Sequence, residues 1–208
     1  MTFRFDLPNR IALFPLAGAV LMPRSRLPLH IFEPRYLQMV EDVLKTDHRL
    51  IGMIQPEGEN LAAIGNAGRI VAYSETDDGR LMISLKAVSR FRQSDAEQGF
   101  TPYLTTEPDW TPFQRDMSGS EHDPALDRPK LFHLLERYMK SHDLSTDWGA
   151  AADAEDELLI NSLSMMLPFS PGDKQALLES PTLADRRELL FGLVEFALRS
   201  GDSEETMQ

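Results

Sequence analysis

Very little in this 208-residue sequence is arranged for making or breaking bonds. Its five histidines, His30, His48, His122, His133 and His142, include no pair at the H-x-x-x-H spacing that sets two imidazoles on one helix face around a metal. Cysteine is absent, which removes disulfides, thiolate nucleophiles and thiolate metal ligands together. No G-x-x-x-x-G-K-[ST] run cradles a triphosphate, since Gly65-Asn66-Ala67-Gly68-Arg69 lacks both the spacing and the lysine. No G-x-S-x-G elbow presents a serine. Asp77-Asp78 precede Gly79, where acids make a turn rather than an acid/base couple.

What remains is contact chemistry. Pro23-Arg24-Ser25-Arg26 is the most basic loop of the first half and adjoins the apolar Leu21-Met22. Cations beside exposed apolar groups suit a polypeptide or nucleic-acid surface, while a bare solvated turn is the plainer account. Leu21, Met22, Arg24 and Arg26 are therefore the candidate polypeptide-binding residues. His30 lies on an apolar strand and reads as a core or edge histidine with a backbone partner. Glu33 and Arg35 flank a strand-to-helix junction as an ion pair or cap. Met165-Met166 reads as core filler, although methionine also suits adaptable contacts.

The elements that would position these residues follow from hydrophobic period and punctuation. Ile11 to Leu16, the turn Ala17-Gly18-Ala19, Val20 to Met22 and Leu27 to Phe32 are short apolar runs bounded by Gly and Pro, and so strand-like. Pro28 cannot donate to a ladder and favours an edge or a strand start. Glu33-Pro34 begins a helix whose inner stripe is Tyr36, Leu37, Val40, Val43 and Leu44. His48 to Gln55 is a buried strand; Leu61 to Asn66 fits a helical turn or a loop equally. Gly68–Glu75 and Arg80–Arg92 form a hairpin about Thr76-Asp77-Asp78-Gly79, with Leu81, Ile83 and Leu85 inward and a bulge near Ala87 to Ser89. Phe100 to Glu107 is one more strand.

Further on, residues 108–128 lack apolar period and read as a linker or mobile loop. Helices follow from Pro129 (Leu131, Leu134, Leu135, Tyr138 and Met139 inward) and over Asp153 to Leu167 (Leu159, Ile160, Leu163, Met166 and Leu167 inward), separated by a loop, His142 to Ala152, pinned by Trp148. Ser170-Pro171-Gly172-Asp173 and Thr182-Leu183-Ala184-Asp185 are two acidic capping boxes, launching helices to Glu179 and to about Arg199. Leu189, Leu190, Leu193, Val194 and Ala197 form the stripe of the last, and Gly201 ends it. Residues 201–208 read as a disordered tail.

The string PLHIFEPRYLQMV, preceded by LFPL, a turn and VLMP, resembles the amino-terminal substrate-binding domain of the Lon protease family. Gly68-Arg69-Ile70 through Arg90-Phe91-Arg92, and Asn161-Ser162-Leu163 through Leu167-Pro168 with Ser170-Pro171-Gly172-Asp173-Lys174-Gln175, extend the likeness to most of residues 10–197. The resemblance implies an α+β protein: a PUA-like β-barrel subdomain with one helix over residues 1–107, then a C-terminal helical bundle subdomain over 129–200. It further implies a stand-alone member without ATPase or Ser–Lys peptidase modules. Its role would be non-catalytic, the binding of unfolded or partner polypeptide, with an ATP-dependent protease as a further partner.

Composition sets outer bounds. With 42% apolar residues the chain can bury a core, and its length suits one large domain or two small ones. No apolar run reaches the roughly 20 residues of a membrane span, and MTFRFDLPNR has no signal-type stretch; a cytoplasmic location is expected. Net charge is −12, yet residues 1–100 hold 12 basic and 12 acidic residues against 9 and 21 in residues 101–208. The acidic half disfavours nucleic acid, which needs clustered Lys and Arg. An RNA-binding PUA-like module, or a small enzyme with a site between barrel and bundle, are the rival readings. No cofactor is expected.

Overall fold

The structure, a computed structural model, describes residues 7–94, 96–142 and 153–205, with side chains through Arg199. Its contacts divide the chain into two compact units, Met1–Gly119 and Ser120–Gln208. The architecture is mixed α+β, with the sheet in the first unit.

The first unit holds β1 (Ile11–Pro15), β2 (Arg26–Ile31), α1 (Pro34–Leu44), β3 (Leu50–Ile54), β4 (Pro56–Glu57), β5 (Asn60–Leu61), β6 (Ile64–Glu75), β7 (Leu81–Gln93), β8 (Thr105–Thr106) and β9 (Pro108–Asp109). A 3-10 helix, Thr111–Met117, closes it. Seven strands make one sheet in the order β2-β7-β6-β3-β1-β8, with β9 also on β7, while β4 and β5 pair separately. β1 and β3 run parallel, and both are apolar without alternation because both their faces are covered. Ile11, Leu13, Leu50, Ile54, Ala67 and Phe91 form one core cluster, with Trp110 half-buried against it. Leu61 to Asn66, ambiguous in sequence, contributes to β5 and β6.

The closed barrel implied by the resemblance is not found. Residues 105–109 pair with β1 through β8 and with β7 through β9, but each ladder is two residues long and Glu107 belongs to neither. β2 and β8 end the sheet without pairing to each other among the described residues. Of the strand expected over Phe100 to Glu107 only Thr105–Thr106 is in a ladder.

The β6–β7 hairpin forms as its sequence suggests. Gly79 takes φ 78° in the turn, and the register steps from Ala67↔Ser89 to Gly68↔Ala87, so Val88 is the extra residue of a bulge. Ile83 and Leu85 are buried, Leu81 partly so. β6 crosses close to its neighbours: a Cβ on Gly65 would sit 2.6 Å from the Met53 carbonyl oxygen. In α1 the buried stripe is Tyr36, Met39, Val40 and Val43; Leu37 and Leu44 are only half-buried and Met39 takes their place.

The second unit contains α2 (Arg128–Ser141), α3 (Asp156–Met166), α4 (Pro171–Glu179) and α5 (Leu183–Glu205) among its described residues. Each of the first three packs against α5. Asp127 caps α2, its carboxylate accepting the Lys130 N–H at 3.0 Å. The second capping box forms in full, Thr182 and Asp185 exchanging side-chain-to-backbone bonds of 3.1 and 3.2 Å, while at the first Ser170 Oγ accepts from Asp173 N and donates to the Asp173 carboxylate at 2.6 Å. Leu131, Leu134, Leu135 and Tyr138 are buried as expected, as are Leu159, Ile160, Leu190 and Val194.

Three readings are corrected. Met166 is 77% exposed, because α3 ends there and the chain turns to bury Leu167 instead. Residues 108–117 are ordered into β9 and the 3-10 helix rather than forming linker. α5 continues through Gly201 to Glu205, glycine being tolerated in a helix at a cost of about 1 kcal/mol. The loop with Trp148 and residues 206–208 lie outside the described residues.

Gly65→Ala should lower the unfolding free energy by about 1–3 kcal/mol, since a backbone carbonyl cannot step aside as a side chain can. Gly119→Ala, which has open space around it, should leave the urea midpoint nearly unchanged.

Candidate functional site

The four candidate residues do not share one surface. Leu21 and Met22 are fully buried, with Leu21 accepting the Asn66 Nδ2–H on its carbonyl at 2.7 Å. They are core, and that part of the sequence reading is corrected: an apolar pair between two short turns is pulled inward by the sheet that it closes over. Arg24 sits in the left-handed region at φ 60°, within a turn closed by Ser25 N–H to the Met22 carbonyl at 3.1 Å. A non-glycine residue there costs on the order of 1 kcal/mol. The guanidinium offsets it by donating Nη1–H to the Asp116 carbonyl at 2.9 Å. Only Arg26, at the start of β2, is exposed.

Asp116 therefore anchors the approach to β2, and it is itself fixed by the most buried ion pair of the unit. Arg90 on β7 and Asp116 in the 3-10 helix are 4% and 1% exposed in their side chains. Asp116 accepts from Arg90 N, Nε and Nη2, each at 2.9 Å. The guanidinium also lies 4.8 Å from the centre of the Phe113 ring. Three donors on one carboxylate compensate its desolvation. Nothing in the sequence of 108–128 flagged this aspartate among the surrounding acids.

Around Arg26 the registers of β2, β7 and β6 lay out a face in rows. Arg26, Lys86 and Arg69 stand directly across from one another; then come Pro28, Ser84 and Ala72; then His30, Met82 and Ser74. Phe32 follows β2 on the same side, 60% exposed, its ring edge-on to His30 with centroids 6.1 Å apart. Met82 is 42% exposed. Arg26, Pro28, His30 and Lys86 are exposed as well, so His30 is an edge histidine rather than a core one. The alternation of Met82, Ser84 and Lys86 with the inward Ile83 and Leu85 was legible in sequence; their alignment with β2 was not.

β2 is also the terminal strand. The Ala87 N–H donates to the Ser25 carbonyl at 2.9 Å, which sets the alternation of the ladder. Backbone groups of Leu27, Leu29 and Ile31 face β7, and those of Arg26, Pro28 and His30 face away from it. Pro28 has no N–H and so removes one donor from that outward edge.

Elsewhere in this unit, a hollow of about 280 Å³ is lined by Lys45, Thr46, Asp47, Arg49 and Arg69 at the C-terminal end of α1. His48 beside it accepts the Leu50 N–H on Nδ1 at 3.0 Å, and burial with the nearby Arg69 charge lowers its pKa. Tyr103 donates its hydroxyl to Asp42 at 3.0 Å; burial, then the hydrogen bond and charge of Asp42, push its pKa up to about 12. In the second unit, Arg186 is buried, donating to the Leu177 carbonyl and to Asn161 Oδ1 at 2.9 Å each. Glu33 and Arg35 pair at 2.8 Å beside the start of α1. Among the described residues no three His, Asp or Glu side chains gather as a metal site.

A sequence profile of the ATP-dependent protease La (LON) substrate-binding domain matches residues 10–195. The chain belongs to this family. Lon protease 2 of Sorangium cellulosum is 26% identical over 202 residues, taking in 89% of this chain and 24% of its own. The Lon protease of Xanthomonas oryzae pv. oryzae is 24% identical over 206 residues, with 91% and 23% covered. The chain thus spans about a quarter of the length of these relatives. The structure is similar to the Lon N-terminal domain protein from Xanthomonas campestris, with a TM-score of 0.60 at 25% identity, covering 88% of this chain and 97% of that one. The N-terminal domain of Mycobacterium avium complex Lon protease shares the fold at 11% identity, with a TM-score of 0.63 over 89% and 98% of the two chains. The PLHIFEPRYLQMV string of this family member spans Pro28 to Ile31 of β2 and Pro34 to Val40 of α1.

Asp116→Ala should cost about 3–5 kcal/mol by leaving the Arg90 charge buried and alone, seen as a lowered urea midpoint. Tyr103 predicts a pH effect of definite sign. Its folded pKa lies above the ordinary tyrosine value, so its contribution is complete below about pH 10 and lost as pH rises towards 12. Thermal melts should show wild type losing more stability over that window than Tyr103→Phe.

Proposed function

We propose that this chain recognises segments of other polypeptides, unfolded clients or partner proteins, and performs no bond chemistry itself. The observation that carries this is the outer face of β2 and β7, where Met82 on β7 and Phe32 just past the end of β2 are exposed instead of being turned into the core. Large apolar side chains left exposed near the open end of a sheet are a contact feature. Family membership agrees with it, the matching domain being described as substrate-binding and its relatives as Lon proteases. An ATP-dependent protease is accordingly the partner that would receive the bound segments. A cytoplasmic location fits the same reading, and no described helix is long and apolar enough to cross a membrane.

An RNA-binding role draws support from the Arg26, Lys86 and Arg69 row, but the acidic residues 101–208 count against it. No observation favours the small-enzyme reading.

Fluorescence anisotropy with labelled unfolded casein should give saturable binding. The double variant Phe32→Ser, Met82→Ser should weaken it about tenfold, the loss of roughly 1.4 kcal/mol. Equal binding by wild type and variant would reject this face, and hydrolysis of ATP or casein by the purified chain would reject the non-catalytic reading.

A further inference from the structure

We infer that the outward edge of β2 takes an extended acidic peptide as an added antiparallel strand, with an apolar residue followed four positions later by aspartate or glutamate. This deepens the polypeptide-recognition reading and rests on it.

The occupant follows from three features of one edge. Backbone N–H and C=O groups of Arg26 and His30, and the C=O of Pro28, point away from β7, and among the described residues no strand pairs with them. Such groups are matched by the backbone of another extended chain, which a nucleic acid does not offer. Charge gives the second feature. Arg26 and Lys86 are like charges directly opposite one another on adjacent strands, an arrangement that is destabilising when uncompensated. No acid stands on this face in the rows from Arg26 to His30, and Arg26 and Lys86 have no ion-pair partner among the described residues. An incoming carboxylate opposite Arg26 would offset the Arg26–Lys86 repulsion.

Spacing supplies the third. A guest strand places side chains on the outer face opposite Arg26, Pro28 and His30, at every second residue. The guest residue opposite His30 lies beside the His30 ring and, diagonally, Phe32, which packs edge-on to it, and is apolar. The one opposite Arg26 lies four positions away and is acidic. Running antiparallel to β2, the guest reaches His30 first, which fixes the apolar residue before the acid. Antiparallel pairing also lets guest residues exchange both bonds with Arg26 and His30.

Pro28 adds a distinctive consequence. It withholds one N–H in the middle of the edge, which limits affinity and discourages indiscriminate strand pairing. Replacing it with alanine would give the guest one more bond.

The test uses the full chain and a labelled synthetic peptide of about nine residues, with leucine at its third position, glutamate at its seventh, and threonine and serine elsewhere. Anisotropy should report binding that the double variant Arg26→Glu, Lys86→Glu weakens about tenfold. A peptide carrying lysine in place of glutamate should recover that loss on the variant. Peptide N-methylated on the amides facing β2 should not bind, and Pro28→Ala should bind several-fold tighter. Circular dichroism checks that each variant keeps the wild-type melt.

Undiminished binding of the N-methylated peptide, or indifference to charge reversal, overturns strand addition. So does competition by a ten-nucleotide RNA at the concentration of peptide needed for saturation. If unfolded casein binds while the peptide does not, this inference fails and the broader one stands; if neither binds, both fail.

Discussion

Every feature of the β2 edge depends on one buried ion pair. Arg90 lies in the interior stretch of β7, where a cation in isolation would be prohibitive, and Asp116 meets it with both carboxylate oxygens while also taking the Arg90 backbone N–H. The pair is a junction rather than a store of stability, since buried ion pairs often do no better than apolar replacements. Its value lies in position. It fastens the 3-10 helix to β7, and the same aspartate presents its carbonyl to Arg24. Arg24, in its left-handed conformation, turns the chain so that Ser25 meets Ala87 and β2 starts in register.

From that register the surface chemistry follows. With Ser25 bonded to Ala87, odd-numbered residues of β2 face the sheet interior and its ladder, and even-numbered ones face solvent and the free edge. A slip of one residue would bury Arg26 and His30 and expose Leu27, Leu29 and Ile31. Pro28 also fits only the present register, because its missing N–H then falls on the side with no ladder. The edge is thus open but blunted, a compromise between recognition and self-association.

Much of this was legible in sequence where local rules suffice. The start of α1 at Pro34, the turn at Gly79, the bulge at Val88 and the N-caps at Ser170 and Thr182 each follow from a few adjacent residues. What stayed hidden is long-range. Asp116 looked like one more acid in a polar stretch, and only its partner 26 residues away makes it structural. Leu21 and Met22 looked like an apolar border to a basic loop, when the sheet in fact closes over them. The barrel implied by the resemblance falls short because closure would need continuous ladders through Glu107, and two-residue strands on either side supply none there. Arg26 alone survives from the four candidate residues as a surface group, and its significance comes from Lys86 and Arg69 opposite, which alternation within one strand cannot reveal.

Amide hydrogen exchange, read residue by residue with and without saturating unfolded casein, tests the account most directly. The outward-facing amides of Arg26 and His30 should exchange quickly in the free protein and become strongly protected on binding, while Leu27 and Leu29, already bonded to β7, change little. Protection that leaves Arg26 and His30 untouched and appears elsewhere in the chain would contradict a recognition site on the edge of β2.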